Sequence, residues 1–520
     1  MKHRGYQYGL LTTVTLTGMA VLIIEITATR MLTPFFGNSI FTFSSVISTI
    51  LAALSLGYYF GGRIADRKPS DVLFYVVIVA AGFSVLLLQL LNVSLLPAIA
   101  YELSMIDGPL LVSVLLFLLP AMLLGMLSPF AIKLLHRSSA DKAVGNAAGL
   151  VFFWSTLGSI VGSLGAGFLL IPAFGVSQIV IGVGLGLVLL GAVGLLLQAG
   201  RRKAVAVGAI LLGLICGFVL NGMHQAQSFA AIYSADGLYE KIVIRDIPYQ
   251  GRKARILLQD RNINSGMYLD DGRMAFDYTR YFDLYRLFVP DLKRALAIGG
   301  GAYSVPRAIL RDSPSALVDV AEIEPSLVGL AQQYFGLPRD SRLSNHVIDG
   351  RRFLYDSQQR YDLIFLDVYR SFAAVPMQFT TVEFFQLAAD RLNDNGVLIS
   401  NYFGSLAVDT RPLVYSIHKT MRSVFAEVYL IATVDPVGES LQNFIFIGHK
   451  NTASGRRVDL KQALNIEFSY PQLRQIASLE IKPGAEDIAA ADLLTDNYAP
   501  VEFYAAKIIR KYAASLTTVD

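Results

Sequence analysis

The chain has 520 residues and a formal net charge of +4, and only 16% of its residues are charged. A soluble enzyme carries about 25%, and the deficit falls in the first 222 residues, so the composition excludes a wholly soluble protein. It contains no basic tract interleaved with aromatics, which excludes a nucleic-acid binder, and its single cysteine, Cys216, leaves the polar half without a disulfide or a cysteine-held metal.

In chain order, the first elements are seven apolar segments at 8–29, 41–62, 73–95, 109–132, 147–171, 176–198 and 204–222. Each is near the roughly 20 residues that a membrane-spanning helix needs. The first lacks the small-residue cleavage site of a signal peptide. Lys2 and Arg4 precede the first segment; Arg63, Arg67 and Lys68 follow the second, Lys133, Arg137 and Lys142 the fourth, and Arg201, Arg202 and Lys203 the sixth. Basic loops face the cytoplasm. The N-terminus is therefore expected inside, and seven crossings put the polar half in the periplasm, unless the proline-containing fourth segment hides a further entry. Glu25 lies within the first segment, where an acid is costly and marks either function or a pairing with another helix or with Arg30. Gly57/Gly61 and Gly158/Gly162, with Gly165 and Gly167 beyond, predict close helix packing. Pro120 and Pro129 predict a kink in the fourth segment, and Trp154 reads as a packing residue.

The polar half begins with short alternating runs over 238–272, which predict a small β lobe with a turn at Gln250–Gly251. The pattern of 277–288 predicts an amphipathic helix. Apolar runs and helical patterns then alternate: ALAIGG, ALVDVAEI, HVID, DLIFLDV, GVLISNYF, VYLIATV and NFIFIGH are the predicted strands. The last two have only a turn between them and predict an antiparallel pair at one edge. The expected architecture is a transmembrane helical bundle over 1–222, a small β lobe with a linking helix over 223–290, and a Rossmann-like α/β domain over 291–520. Its strand pattern is that of S-adenosylmethionine-type methyltransferase domains and not of dinucleotide dehydrogenases.

Ligands of such sheets bind at the C-terminal ends of the strands. There the sequence places Gly299, Gly300 and Gly301, then Glu322, then Asp349 with Gly350, then Asp367 with Tyr369. Glycines let the backbone approach a ligand, Glu322 suits the two hydroxyls of a ribose, and Asp349 suits an exocyclic adenine amine, though an acid there also suits a helix cap. Asp367 faces the entry of a second substrate, where a carboxylate holds an amine and takes its proton. No metal-ligand cluster is expected; His346 and His449 read as structural.

These residues resemble the spermidine synthase family of polyamine aminopropyltransferases. The resemblance runs from about 236 to 450, through LYEKIVI, YFDLYRLF, GGGAYSVPR, VAEIEP, the pair Tyr334–Phe335, DGRRFL, YDLIFLDVY, TTVEFF and NGVLISN. The multispanning region, its first-span pattern around Glu25 and Arg30, and LLTDNYAPVE at 493–502 are similar to the bacterial membrane-bound branch, which implies the inner membrane. The resemblance implies transfer of an aminopropyl group from decarboxylated S-adenosylmethionine, a co-substrate and not a resident cofactor, to a small amine such as putrescine, with methylthioadenosine leaving. It assigns catalysis to Asp367, the ribose to Glu322, the adenine to Asp349 and Gly350, and a substrate-side role to Tyr281; it also implies a homodimer.

Some positions depart from that pattern. The family's acid after the three glycines is Ala302 here, followed by Tyr303; the histidine after Tyr281 is Phe282; and the second acid after the catalytic aspartate is Arg370. A cation at 370 repels a diamine, and the loss of an acid at 302 removes an obstacle to the carboxylate of intact S-adenosylmethionine. A methyltransferase or lyase acting on that donor therefore stays open, as does an adenosyl-binding sensor or transporter without turnover.

Overall fold

A computed structural model describes residues 2–100, 103–104, 106–138, 143–198, 203–228, 231–260, 262–369, 376–450 and 457–516. The chain divides into two compact units, 1–230 and 231–520.

Among the described residues, unit 1 contains seven helices long and apolar enough to cross a membrane: Arg4–Phe36, Ile40–Arg67, Asp71–Ser94, Gly108–Arg137, Val144–Ala173, Val176–Leu197 and Lys203–Met223. The shortest, 21 residues, rises about 32 Å, the thickness of a bilayer core. Gly57 and Gly61 lie against the backbone of the fourth span: a Cβ at Gly57 would stand 2.3 Å from the Met122 carbonyl oxygen, and one at Gly61 2.6 Å from Met126 Cα. Gly158 and Gly162 lie in the same way on Thr15 and Met19. Gly165 and Gly167 do not follow this pattern, because a Cβ at either meets nothing within 4 Å. Gly167 lies in a π-helical turn over Ala166–Leu170, which changes the helix period there; Gly165 ends the α-helix before it. The fourth span divides into Gly108–Gly125 and Leu127–Arg137. Pro129 has no N–H to offer the Gly125 carbonyl, which is where the helix breaks. Trp154 is exposed and meets Phe153 edge to face at 5.5 Å.

Unit 2 opens with an antiparallel four-stranded sheet, β1 (Tyr233–Asp236), β2 (Lys241–Tyr249), β3 (Arg252–Gln259) and β4 (Asn262–Tyr268). Gln250 and Gly251 link β2 to β3 with φ of 49° and 75°, the paired left-handed conformation of a tight hairpin turn. The helix expected over 277–288 forms at Asp277–Leu287 with 3₁₀ geometry and buries Tyr281, Phe282, Leu284 and Tyr285.

The large sheet contains β5 (Arg294–Ile298), β6 (Leu317–Glu322), β7 (Leu343–Val347), β8 (Tyr361–Leu366), β9 (Leu392–Gly404), β10 (Glu427–Ala432), β11 (Gln442–His449) and β12 (Glu480–Ile481), in the order β12-β10-β11-β9-β8-β5-β6-β7. β9, β8, β5, β6 and β7 are parallel, and β11, β10 and β12 continue the sheet antiparallel. The antiparallel pair thus has the two-residue β12 outside it. Alternation along the strands supplies two cores: Ala295, Ala297, Val318, Val320 and Phe365 on one face, and Leu296, Ile298, Ile364, Leu366 and Leu398 on the other. Strand order reverses at β5, between β6 and β8. That reversal opens the crevice in which open α/β sheets bind ligands.

Candidate active site

The C-terminal ends of β8, β5, β6 and β7 are neighbours, so the residues singled out in the sequence share one rim. Hydrogen bonds level the strand ends: Asp367 N donates to Ile298 O at 3.1 Å, Gly299 N to Ala321 O at 3.0 Å, and Ile348 N to Glu322 O at 3.1 Å. Gly299 has φ +90°, and a Cβ on it would stand 2.4 Å from the Asp367 carbonyl oxygen. Only glycine lets β5 turn this close to β8. Tyr303 opens the helix Ser304–Asp312 and lays its ring on Gly300, and its hydroxyl donates to Asn345. Gly350 is glycine for packing, since a Cβ there would lie 2.2 Å from Ile298 Cγ2.

Glu322 is buried, and both carboxylate oxygens meet the turn. Oε2 accepts from Gly300 N at 2.7 Å and Gly301 N at 3.4 Å, and Oε1 accepts from Glu324 N at 2.8 Å. Burial pushes its pKa up, against these backbone donors. Oε1 keeps a second lone pair for a hydroxyl. Asp349 serves as a helix cap: its Oδ1 accepts from Arg351 N and Arg352 N, both at 3.0 Å. Oδ2 has no partner among the described residues.

Asp367 is held by neutral groups. Asn401 Nδ2 donates to its Oδ1 at 3.1 Å, and Asn443 Nδ2 donates to Asn401 Oδ1 at 2.9 Å. The Tyr278 hydroxyl also bonds the carboxylate and reaches Asn264 O at 3.1 Å. Burial raises the Asp367 pKa to about 6, the Asn401 and Tyr278 hydrogen bonds opposing it. Tyr369 donates to Asn401 O at 3.1 Å and so backs the same network. Tyr281 is buried, and its hydroxyl donates to Thr433 O at 3.4 Å, past the end of β10.

Tyr278, Asn401 and Asn443 escaped the sequence reading. Asn401 had a signal, as a polar residue near the end of the β9 run, but Tyr278 lies in a helix whose apolar face drew attention elsewhere. Also missed was Glu240, bonded by Gln259 Nε2, whose Oε1 accepts from Asn264 Nδ2 at 2.9 Å. Burial, then the charge of Asp260, pushes the Glu240 pKa well up. Gln259 and Asn264 thereby link the Glu240 carboxyl to Tyr278 and Asp367.

The departures fall unevenly. Ala302 is 2% exposed and packs in the core. Arg370 lies outside the described residues. His346 bonds Asp319 at 3.1 Å, and His449 is buried against Glu427 at 3.1 Å. In the 493–502 segment, Asp496 takes both Arg351 guanidinium nitrogens at 2.8 and 2.6 Å and the Thr381 hydroxyl at 2.8 Å. It latches the two helices next to the rim.

A parallel-core sheet with an antiparallel edge, a glycine turn and an acid at successive strand ends defines a class, the Rossmann-like domain of S-adenosylmethionine type. Residues 283–461 match the family model of the spermine/spermidine synthase domain. The polyamine aminopropyltransferase of Vibrio vulnificus is 29% identical over 231 residues, 42% of this chain and 73% of that protein. A probable polyamine aminopropyl transferase of Bifidobacterium longum is 24% identical over 324 residues, 59% of this chain and 69% of that protein. A solved probable spermidine synthase from Corynebacterium glutamicum aligns at 22% identity and a TM-score of 0.39, over 49% of this chain and 96% of that one. The chain carries a spermine/spermidine synthase domain and is a transferase, with seven helices of membrane-spanning length among the described residues ahead of that domain.

Proposed function

We propose that the protein transfers an aminopropyl group from decarboxylated S-adenosylmethionine to a small amine and releases methylthioadenosine. The observation behind this reading is Asp367, a rim carboxylate whose pKa burial raises to about 6 and which neutral donors hold among the described residues. Such a group is ionised at neutral pH, yet basic enough to take a proton. The lone pair of the acceptor amine attacks the aminopropyl carbon attached to sulfur. The carbon–sulfur bond breaks, and its electron pair stays on sulfur in neutral methylthioadenosine. The proton displaced from the new secondary ammonium goes to Asp367 and then to solvent. Glu322 takes the ribose hydroxyls, Asp349 Oδ2 the adenine amine, and Gly299 to Gly301 pass beneath the donor. Tyr281 and Tyr369 bound the amine side.

The reading extends to location. The chain sits in a bacterial inner membrane with its N-terminus in the cytoplasm and unit 2 in the periplasm, as the basic loops indicate, and works as a homodimer, as the resemblance implies. Asp367→Asn tests the assignment: turnover should fall by about 10²- to 10⁴-fold while methylthioadenosine still binds. Unchanged turnover would remove Asp367 from the chemistry.

A further inference from the structure

Buried hydroxyls in the membrane unit mostly bond back to their own helix. Thr17 donates to Val14 O at 3.1 Å, Thr27 to Ile23 O at 2.8 Å and Ser84 to Ala81 O at 2.7 Å. Three buried polar side chains do not. Gln89, Ser113 and Thr49 are 0%, 0% and 3% exposed. Among the described residues, Gln89 Oε1 and Nε2, Ser113 Oγ and Thr49 Oγ1 have no hydrogen-bond partner, and neither does Asn92 Oδ1 one turn from Gln89. Glu25 is half-buried, and no side-chain hydrogen bond or ion pair of its carboxylate stands among those of the described residues. Orphaned polar groups are rare in native structures, and five residues in one bundle need a reason.

Their depth gives one. Tyr6 bonds Asp71 and sets the first span against the third. Gly57 against Met122 sets the second against the fourth. Phe74 and Phe130, with ring centroids 6.2 Å apart, set the third against the fourth. Counted along the helices from these contacts, Glu25 lies level with Gln89, and Thr49 with Ser113. Ser113 in turn falls level with the turn from Gln89 to Asn92. Each match holds to within about one residue, or about 1.5 Å of rise. The unsatisfied groups thus form one layer contributed by four spans.

The layer is rich in acceptors. Gln89 Oε1, Asn92 Oδ1 and the Glu25 carboxylate can only accept, Gln89 Nε2 can only donate, and the Thr49 and Ser113 hydroxyls can do either. A ligand with several N–H donors and a positive charge complements that set; an anion does not. We propose that the bundle holds a binding site for a small organic ammonium, formed by Glu25, Thr49, Gln89 and Ser113. It is distinct from the Asp367 rim, and it does not depend on aminopropyl transfer.

The test is equilibrium binding of labelled putrescine to the full-length chain in lipid nanodiscs, with Asp367→Asn in every sample to prevent turnover. A saturable component is expected, and Glu25→Gln and Gln89→Leu should each weaken it at least about tenfold, the scale of a buried hydrogen bond to a charged ligand. Gln89→Leu also removes orphaned polar atoms, so its melting midpoint without putrescine should equal or exceed the parent's. Thr49→Val, nearly isosteric, should weaken binding without a folding defect. Absence of saturable binding in the parent overturns the proposal, and so does binding that survives these changes. Either result leaves the transferase reading intact, because product formation is measured separately with Asp367 present.

Discussion

Tyr278→Phe removes a hydroxyl that bonds the Asp367 carboxylate. Asp367 stands at about 6 against an ordinary value of 3.8, which corresponds to about 3 kcal/mol against ionisation at 1.36 kcal/mol per pKa unit. A hydrogen bond to a charged group contributes about 1.5–3 kcal/mol. The Tyr278 proton is shared with Asn264 O, so the low end applies and its loss should raise Asp367 by about one further pH unit. The O–H donor favours the ionised form, so the direction is upward. The acid limb of kcat/KM should move from about pH 6 to about pH 7, with activity near pH 5.5 down about tenfold and activity above pH 8 nearly unchanged. Stability carries the same signature. A raised carboxyl pKa contributes stability that is complete below pH 3.8 and lost as pH rises through about 6 in the parent; in the variant the loss extends to about 7. The assay is methylthioadenosine release against pH. An acid limb that stays at 6 or moves lower would refute this account of Asp367.

Other changes separate binding from packing. Glu322→Gln keeps the shape but removes the charge at the ribose position; methylthioadenosine affinity by calorimetry should fall by about tenfold or more, with the acid limb unmoved. Gly299→Ala places a methyl 2.4 Å from a carbonyl at φ +90° and should cost about 2 kcal/mol or more, read as an earlier midpoint in chemical unfolding of the full chain. A reporter fused after Asp520 should be active only in its periplasmic form; a cytosolic signal would overturn the loop-charge assignment.

Much of the fold was legible because it rests on local patterns. Hydropathy marks the seven spans, apolar runs mark the parallel strands, and a glycine cluster between strand and helix marks the turn at Gly299. Strand-end acids were legible for a similar reason, as Glu322 and Asp367 interrupt apolar runs at their ends. What stayed hidden depends on partners distant in sequence. Tyr278 meets Asp367 only because the lobe and its helix fold over the rim, and Asn443 reaches Asn401 only through the β9–β11 pairing. Asp349 could be read as cap or ligand, and its bonds to Arg351 N and Arg352 N fix one oxygen as a cap. Gly165 and Gly167 continue a small-residue pattern in one dimension, but a Cβ at either meets nothing within 4 Å.

The most direct test is a product assay on the purified full-length chain, with decarboxylated and intact S-adenosylmethionine offered separately, with and without putrescine, and products read by mass spectrometry. The account predicts methylthioadenosine only from the decarboxylated donor, dependent on the amine and matched by an amine heavier by one aminopropyl group. S-adenosylhomocysteine from the intact donor, or methylthioadenosine formed without any amine, would contradict it.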